Sequence, residues 1–452
     1  MIVEIVDTMD GFDQLAQNWD EVYLADPHAR YFVSHRFLRR WLRAFGGQWF
    51  VLAAKPTAKS KYEAFLPLRL RTYARPDGHC VSEILMAGNY GADYTGLVAL
   101  PARLNSAMPA RAGALKLMHW HQISFDYVDA GDMRYRELLN HFADPAFRIS
   151  SEFRVNKRDN VNNLVCPVVH LPGQWELYLE QLSANTRQKL RRLLRAFEAD
   201  QSLTITQPTA ASIRDDIEKM NALWLTKWSD RKGVERAQRI LATNRQMLLD
   251  AFANGHLFMP ILRQNGQMVA ALATMLDPLK RGANFYMTGR DESFEGPSPG
   301  LLLHAYSIRA LIEQNFVTYD FLRGDEPYKA LFGTRLEHLQ CLRVTTRSGL
   351  NLGNGIEARA AATVLALATA AHRQGRFRQA AIGYGQVLTQ NPDNIDALYR
   401  YGQLLQYIGQ LQSARRLLGR ARALRAKSAL PETTDVASAP SEPAPGNRPA
   451  VH

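Results

Sequence analysis

Apolar positions recur along this chain with two periods, and their order outlines the fold. Short aromatic and aliphatic runs predict strands at Ile2–Val6, Trp49–Ala54, Tyr62–Leu70 and Trp120–Val128. A helix is predicted around Phe12–Tyr23. A second is predicted over Tyr31–Phe45, where Phe37, Leu38, Trp41, Leu42 and Phe45 fall at steps of three and four. An apolar run follows from Leu164 to Leu171, and then the segment Trp175–Leu182. Ser183-Ala184-Asn185-Thr186 next supplies capping residues for a helix that buries Leu190, Leu194 and Phe197. Ile213–Trp228 places Ile217, Met220 and Trp224 on one side, with Trp228 one turn on. Phe258–Arg263 and Met268–Asp277 read as a hairpin closed at Asn265-Gly266, and the hairpin runs directly into a strand at Ala283–Thr288.

The next stretch reads as loop, helix, strand. The loop carries Gly289, Gly296, Gly300, Pro297 and Pro299. Leu301, Ala305, Ile308 and Ile312 then share one helical face, and Phe316–Leu322 returns as a strand ending at Gly324. A glycine-broken junction leaves unpaired amides at the helix start, where a phosphate can sit. The same spacing also suits a plain βαβ crossover, because the glycines form no strict dinucleotide fingerprint. The fold class expected is α/β with a mixed, α+β type of sheet.

Residues 355–428 follow a different rule. Gly375 and Gly409, Phe377 and Leu411, and Ala380 and Ala414 are each 34 positions apart, the period of tetratricopeptide repeats. Two such units are fewer than the roughly three that usually stand alone, so they are expected to pack on the preceding lobe, a partner or a second copy. From 429 to 452 the chain holds Pro431, Pro440, Pro443, Pro445 and Pro449 among small and polar residues, a composition that predicts disorder.

Composition narrows the function classes. The 452 residues are 46% hydrophobic, enough for two or three cores, yet no run approaches the ~18 apolar residues of a membrane span. The N-terminus has no basic stretch before an apolar one, so no signal peptide is expected. Cys80, Cys166 and Cys341 form no CxxC pair, which points to a reduced, cytoplasmic protein with no cysteine metal site. His119 and His121 flank Trp120 and read as structural residues on one strand face. No metal is expected. The net charge of +12 suits an anionic partner such as coenzyme A, tRNA, a nucleotide sugar or a membrane surface, without choosing among them.

Three segments carry a family resemblance: Tyr286-Met287-Thr288-Gly289, Ser298-Pro299-Gly300-Leu301-Leu302, and Tyr319-Asp320-Phe321-Leu322-Arg323-Gly324-Asp325-Glu326-Pro327-Tyr328-Lys329. They resemble the CelD/BcsL-type acetyltransferases of the GNAT superfamily, which are related to the FemAB-like aminoacyl transferases. The resemblance covers about 1–345 and is strongest over 170–345. It implies two tandem GNAT-like lobes, 1–165 and 166–350, with acetyl-CoA or another acyl-CoA bound in the second by Gly289, Arg290, Ser298, Gly300 and Leu301. The family's usual Gln/Arg-x-x-Gly-x-Gly/Ala cradle is degenerate here, since Asp291, Glu292 and Ser293 follow Arg290. By the same resemblance Asp93 and Tyr94 lie near the acceptor cleft, in a stretch that alone also reads as a plain turn, as do Trp224 and Trp228, which as residues alone read more readily as core. Arg187, Arg191 and Arg195 repeat every four residues on one helical face. They read either as a solvated stripe or as contacts to an anionic substrate.

Acyl transfer to an amine or hydroxyl needs a proton acceptor, a polarised thioester oxygen and an acid for the leaving thiolate. Asp320, Glu326 and His304 are available as the base, Tyr328 as the acid, Lys329 as a phosphate or carboxylate ligand, and backbone amides before the cradle for the oxygen. The expected function is acyl-CoA-dependent N- or O-acyl transfer to a sugar or polysaccharide precursor. Two others stay open: a FemAB-like transferase using aminoacyl-tRNA, and a non-catalytic assembly factor. Residues 355–428 are expected to bind a protein partner or a second copy. No DNA partner is expected, and the location is cytoplasmic, with a position peripheral to the inner membrane left open.

Overall fold

Strands that read as near-continuous apolar runs are buried on both faces, and here helices cover both faces of one long sheet. The computed structural model describes residues 1–89, 91–156 and 160–429, and side chains throughout them except at 104–105, 228–232, 236 and 428–429. The chain forms two compact units, one of Met1–Tyr73 with Val81–Ala360, the other of Ala74–Cys80 with the residues from Ala361 onward.

The first unit is built on β1 (Ile2–Val6), β2 (Gln48–Lys55), β3 (Ala64–Ala74), β4 (Cys80–Met86), β5 (Gln122–Asp129), β6 (Val165–His170), β7 (Leu203–Thr206), β8 (Ile261–Gln264), β9 (Gln267–Asp277), β10 (Gly282–Arg290), β11 (Thr318–Asp320) and β12 (Arg335–Thr346). Their order across the sheet is β1-β2-β3-β4-β5-β12-β6-β11-β10-β9-β8-β7. The main helices are α1 (His35–Ala44), α2 (Leu104–Lys116), α3 (Ala184–Ala199), α4 (Ile213–Lys232), α5 (Val234–Ala253) and α6 (Pro299–Glu313).

The same construction appears twice. In each half a meander leads to a parallel pair joined by a helical crossover: β4 and β5 through α2, β10 and β11 through α6. The halves are fused by β12, which pairs Arg335–His338 with β6 and Leu339–Thr345 with β5. The expected mixed sheet with GNAT-like folds is therefore present, and the strand closing the second half also completes the first. The hairpin turn at Asn265-Gly266 has both residues at positive φ, 49° and 82°, as its sequence requires.

One sheet face carries α3 and α6 over Leu190, Leu194, Leu302, Ile308, Tyr319 and Phe321. The other carries the N-terminal helices with α4 and α5, over Phe12, Trp19, Leu38, Met220, Leu248 and Met275.

The second unit holds α7 (Ala361–Arg373), α8 (Phe377–Gln390), α9 (Ile395–Tyr407) and α10 (Leu411–Ala429). The 34-residue spacing reflects two chemical needs. Gly375 and Gly409 turn the chain at φ 72° and 83°, open to glycine. At the helix crossings a Cβ on Gly383 would meet Ala368 at 2.8 Å, and one on Gly402 would meet Leu418 at 2.7 Å. The Gln386 side chain bonds both the amide and the carbonyl of Cys80, at 2.8 and 3.0 Å, so residues 74–80 are part of this unit. Residues 430–452, expected to be disordered, lie outside the described residues.

Candidate active site

The β10–β11 pair is short. It consists of Gly282 with Thr318, Ala283 with Tyr319 and Asn284 with Asp320. Past Asp320 the chain turns to β6 instead, through the Phe321 amide to the Pro167 carbonyl and the Gly324 amide to the Val165 carbonyl, both 2.9 Å. Strand β10 meanwhile continues to Arg290, so a wedge opens in the sheet beyond Asn284 and Asp320. The first half parts in the same way after Leu85 and Ser124, but there Thr95 donates to the carbonyls of Tyr127 (3.0 Å) and Asp126 (2.6 Å), just past the parting.

Strand alternation sends Tyr319 and Phe321 toward α6 and Asp320 to the opposite face. There the Tyr94 hydroxyl reaches Asn284 Oδ1 at 2.9 Å and Asp320 Oδ2 at 3.2 Å. The Leu322 amide, held at the unusual φ of 58°, donates to Asp320 Oδ1 at 2.7 Å. Burial pushes the Asp320 carboxyl up to about 6, while Arg30, the Leu322 amide and the Tyr94 hydroxyl pull it down and Glu337 pushes with burial. The carboxylate borders a cavity of about 200 Å3 together with Arg30, Asp277, Lys280 and Asn284. Beside it Asp93 pairs with Arg323 at 2.8 Å, and the Arg323 guanidinium lies 3.9 Å above the Tyr127 ring.

The β9–β10 ladder slips at this level. Ala273 faces Met287 and Thr274 faces Phe285, so Tyr286 is an extra residue in a bulge. A bulge breaks the regular ladder, which puts irregular backbone amides at the wedge where a thioester oxygen would need polarising. The Tyr286 hydroxyl itself donates to Asn244 Oδ1 on α5 at 2.9 Å.

The other predicted residues are spread over different places. Gly289 lies inside β10, not in the loop after it. A Cβ there would sit 2.3 Å from the Met220 carbonyl oxygen, so this glycine allows α4 to close on the strand. Ser298 precedes α6, Pro299 takes its first turn, and Leu301 is half-buried. A Cβ on Gly300 would meet only the Arg290 guanidinium, at 3.9 Å. Arg290 therefore overhangs the helix start, yet both its Nε and Nη2 are engaged by Glu292 at 2.9 Å, and Lys227 lies 3.6 Å from the same carboxylate.

Lys329 is buried and donates to the carbonyls of Phe321, Arg323 and Gly324 at 3.1, 3.3 and 2.9 Å, with Glu326 also 2.9 Å away. It shapes the turn after β11. Tyr328 lies on the α6 side near the rings of His304 and Phe321, and its hydroxyl is pushed up by burial and Glu326 against the pull of Arg290. His304 is fully enclosed, bonded to the Tyr319 hydroxyl at 2.9 Å, and held neutral with its ring pushed down to about 3 by burial and Lys329. The predicted segment is thus divided, with Asp320 on one face, Tyr328 on the α6 side and Glu326 paired with the buried Lys329.

Arg187, Arg191 and Arg195 lie along α3, where Arg191 pairs with Glu176 and Arg195 donates to the Arg191 carbonyl at 3.3 Å. Trp224 packs against the core, and the Trp228 side chain lies outside the described residues. Arg30, Asn284 and Arg323 were not foreseen as site residues. They come from the loop before α1, from β10 and from the turn after β11, and only the folded chain brings them near the wedge. Among the described residues no cluster of His, Cys, Asp and Glu could hold a metal ion, and no helix is long and apolar enough to cross a membrane.

Residues 184–330 match the family described as acetyltransferase (GNAT) domain, and residues 371–430 match the tetratricopeptide repeat. No curated protein matches the chain. Among solved structures, a conserved protein of unknown function from Bacteroides thetaiotaomicron is 13% identical with a TM-score of 0.48, covering 76% of this chain and 100% of that one. FemX is 11% identical at 0.44, covering 75% and 96%. A tandem GNAT protein from the clavulanic acid biosynthesis pathway is 12% identical at 0.43, covering 76% and 98%. Scores this low carry no argument about chemistry. The family matches do: the chain has a GNAT-type acetyltransferase domain followed by tetratricopeptide repeats, and it is an acyltransferase.

Proposed function

We propose that the first unit transfers an acyl group from acyl-CoA to an amine or hydroxyl of a sugar or polysaccharide precursor, with Asp320 as the proton acceptor. The observation that carries this reading is the buried Asp320 carboxyl at the mouth of the wedge, bonded by Tyr94 and pushed up to about 6. At neutral pH such a group is mostly ionised, yet more basic than an ordinary carboxylate, which suits general-base work. The nucleophile attacks the thioester carbon and a new C–N or C–O bond forms. Its proton passes to Asp320, and the C–S bond breaks. The thiolate takes a proton from Tyr328 or from water. Donor phosphates would lie at the start of α6, where Arg290 overhangs Gly300, once Glu292 yields that corner.

The solvated arginines of α3 support a second donor, aminoacyl-tRNA, which would use that face in place of the Arg290 corner. The repeats give the protein a means of recruiting a partner or a second copy, and three buried free thiols fit a reducing compartment. The deciding experiment is a thermal shift with acetyl-CoA, longer acyl-CoAs and aminoacyl-tRNA, since a ligand that binds only the native state raises its stability. Stabilisation by acyl-CoA is expected. Stabilisation by aminoacyl-tRNA alone selects the second donor, and no response to either favours a non-catalytic binding role.

A further inference from the structure

A second cavity of about 470 Å3 lies in the first unit between α1 and α5, and it shares Tyr31 with the cavity that Asp320 borders. One wall is cationic. Helix α1 buries Phe37, Leu38 and Leu42, and turns Arg36, Arg39, Arg40 and Arg43 into the cavity. Like charges at steps of three and four repel and weaken a helix, so a merely solvated face would be better served by mixed signs.

Internal partners neutralise only part of this charge. Asp13 takes Arg39 at 2.5 Å and Arg43 at 3.0 Å, and Asp250 takes Arg40 at 2.5 Å. Among the described residues Arg36 has no carboxylate within ion-pair distance. Its guanidinium meets His256 Nε2 instead. His256 Nδ1 lies 3.1 Å from the Leu276 carbonyl, so Nδ1 carries the proton and Nε2 offers Arg36 a lone pair, not a charge. Four guanidinium groups thus share two directly paired carboxylates, with Asp20 beyond ion-pair distance and bearing on Arg36 only through space.

We infer that this groove binds a phosphoryl or diphosphoryl group of the acceptor and holds its nucleophile toward Asp320. The word acceptor rests on the acyltransferase reading above; the anion site does not. Guanidinium forks match pairs of phosphate oxygens, and charge-assisted bonds of this kind are the strong ones. The volume falls within the usual range of small-molecule sites. The groove also adjoins the reacting centre, since Tyr31 lines both it and the cavity that Asp320 borders. Arg40, which lines it, bears electrostatically on the Tyr286 hydroxyl at the wedge, together with Asp93 and Arg323.

The test is calorimetric titration of the full chain with inorganic pyrophosphate, comparing the parent with Arg36→Gln/Arg43→Gln. That pair leaves Asp13 bound to Arg39 and strands no carboxylate, so the fold should stand. Pyrophosphate affinity should fall about tenfold or more. A charge-matched double change on exposed helices, Arg214→Gln/Arg309→Gln, should leave it alone. Acyl-CoA affinity, measured in parallel, should not change in Arg36→Gln/Arg43→Gln.

Unaltered pyrophosphate affinity overturns the inference. A parallel loss of acyl-CoA affinity gives the groove to the donor and overturns it as well. Pyrophosphate binding that keeps its arginine dependence while no form of the chain binds acyl-CoA upholds the anion site and sinks the acyl-CoA donor of the reading above. Two further titrations distinguish the sources, a nucleoside diphosphate sugar and vesicles carrying a lipid diphosphate. Arginine-dependent binding of one names the acceptor's carrier, and binding of neither removes the assignment to an acceptor.

Discussion

Replacing Asp320 with asparagine should separate catalysis from stability. The carboxyl is pushed up from 3.8 to about 6, chiefly by burial. Through the window between those values the folded chain keeps a proton that the unfolded chain has released, so stability falls as pH rises across it. A rise of about two units corresponds to about 3 kcal/mol, fully developed above pH 7, and about half of it develops between pH 5 and pH 8. Asparagine carries no such cost. Its oxygen can still accept from the Leu322 amide, and its NH2 can donate to Tyr94 while Tyr94 donates to Asn284.

Urea unfolding of the two proteins at pH 5 and pH 8 should therefore show Asp320→Asn gaining about 1.4 kcal/mol on the parent between those pH values. Acyl transfer should drop by roughly 10²–10⁴, and the acidic limb of kcat/KM near pH 6 should vanish with it. Normal turnover in the variant would remove Asp320 from the chemistry. A stability difference that is equal at both pH values would mean that the carboxyl does not titrate as its surroundings require.

Three further outcomes follow from the same geometry. Tyr94→Phe removes a hydroxyl that stabilises the ionised carboxyl, so the acidic limb of the pH profile should move upward; an unmoved limb would disconnect Tyr94 from Asp320. Gly300→Val should leave the melting temperature nearly unchanged, since a Cβ there has open space, but should abolish acyl-CoA binding; retained affinity moves the phosphate site off the start of α6. A chain ending at Ala360 should keep acyl transfer and lose a partner or its oligomeric state, measured by light scattering, and loss of transfer would overturn that division of labour.

Local chemistry was legible in the sequence where a residue's role is local. The Asn265-Gly266 turn, the crossover after β10 and the 34-residue glycine period each follow from what a backbone can do near those residues. The division of the segment 320–329 was half legible. Alternation along a strand already separates Asp320 from Tyr319 and Phe321, but the left-handed turn at Leu322 then sends Tyr328 back to the α6 side. Lys329 reads from sequence as a ligand-binding cation because sequence gives no view of the three carbonyls its turn presents inward. Gly289 looked like a loop residue because its constraint is a carbonyl on α4, 69 positions earlier in the chain. The arginine face of α1 was written in plain spacing, at 36, 39, 40 and 43, but the apolar face of the same helix explained its periodicity first.

The two halves of the first unit differ at their wedges, and a single loop bears on both. In the first half, Thr95 binds the β5 carbonyls just past the parting of β4 and β5 and fills that position with the chain's own backbone. In the second half, among the described residues, no such filler comes from α6 or its loop, and two of the groups that meet there come from the first half. They are Asp93, paired with Arg323, and Tyr94, bonded to Asp320 and Asn284. Asp93, Tyr94 and Thr95 are consecutive residues. The loop that seats Thr95 on β5 therefore also carries Tyr94 to β10 and β11. Closing one wedge and equipping the other are then the same structural event. A duplicated fold with one filled and one open wedge needs no separate origin for its polar site: the loop that closes the first half furnishes it to the second.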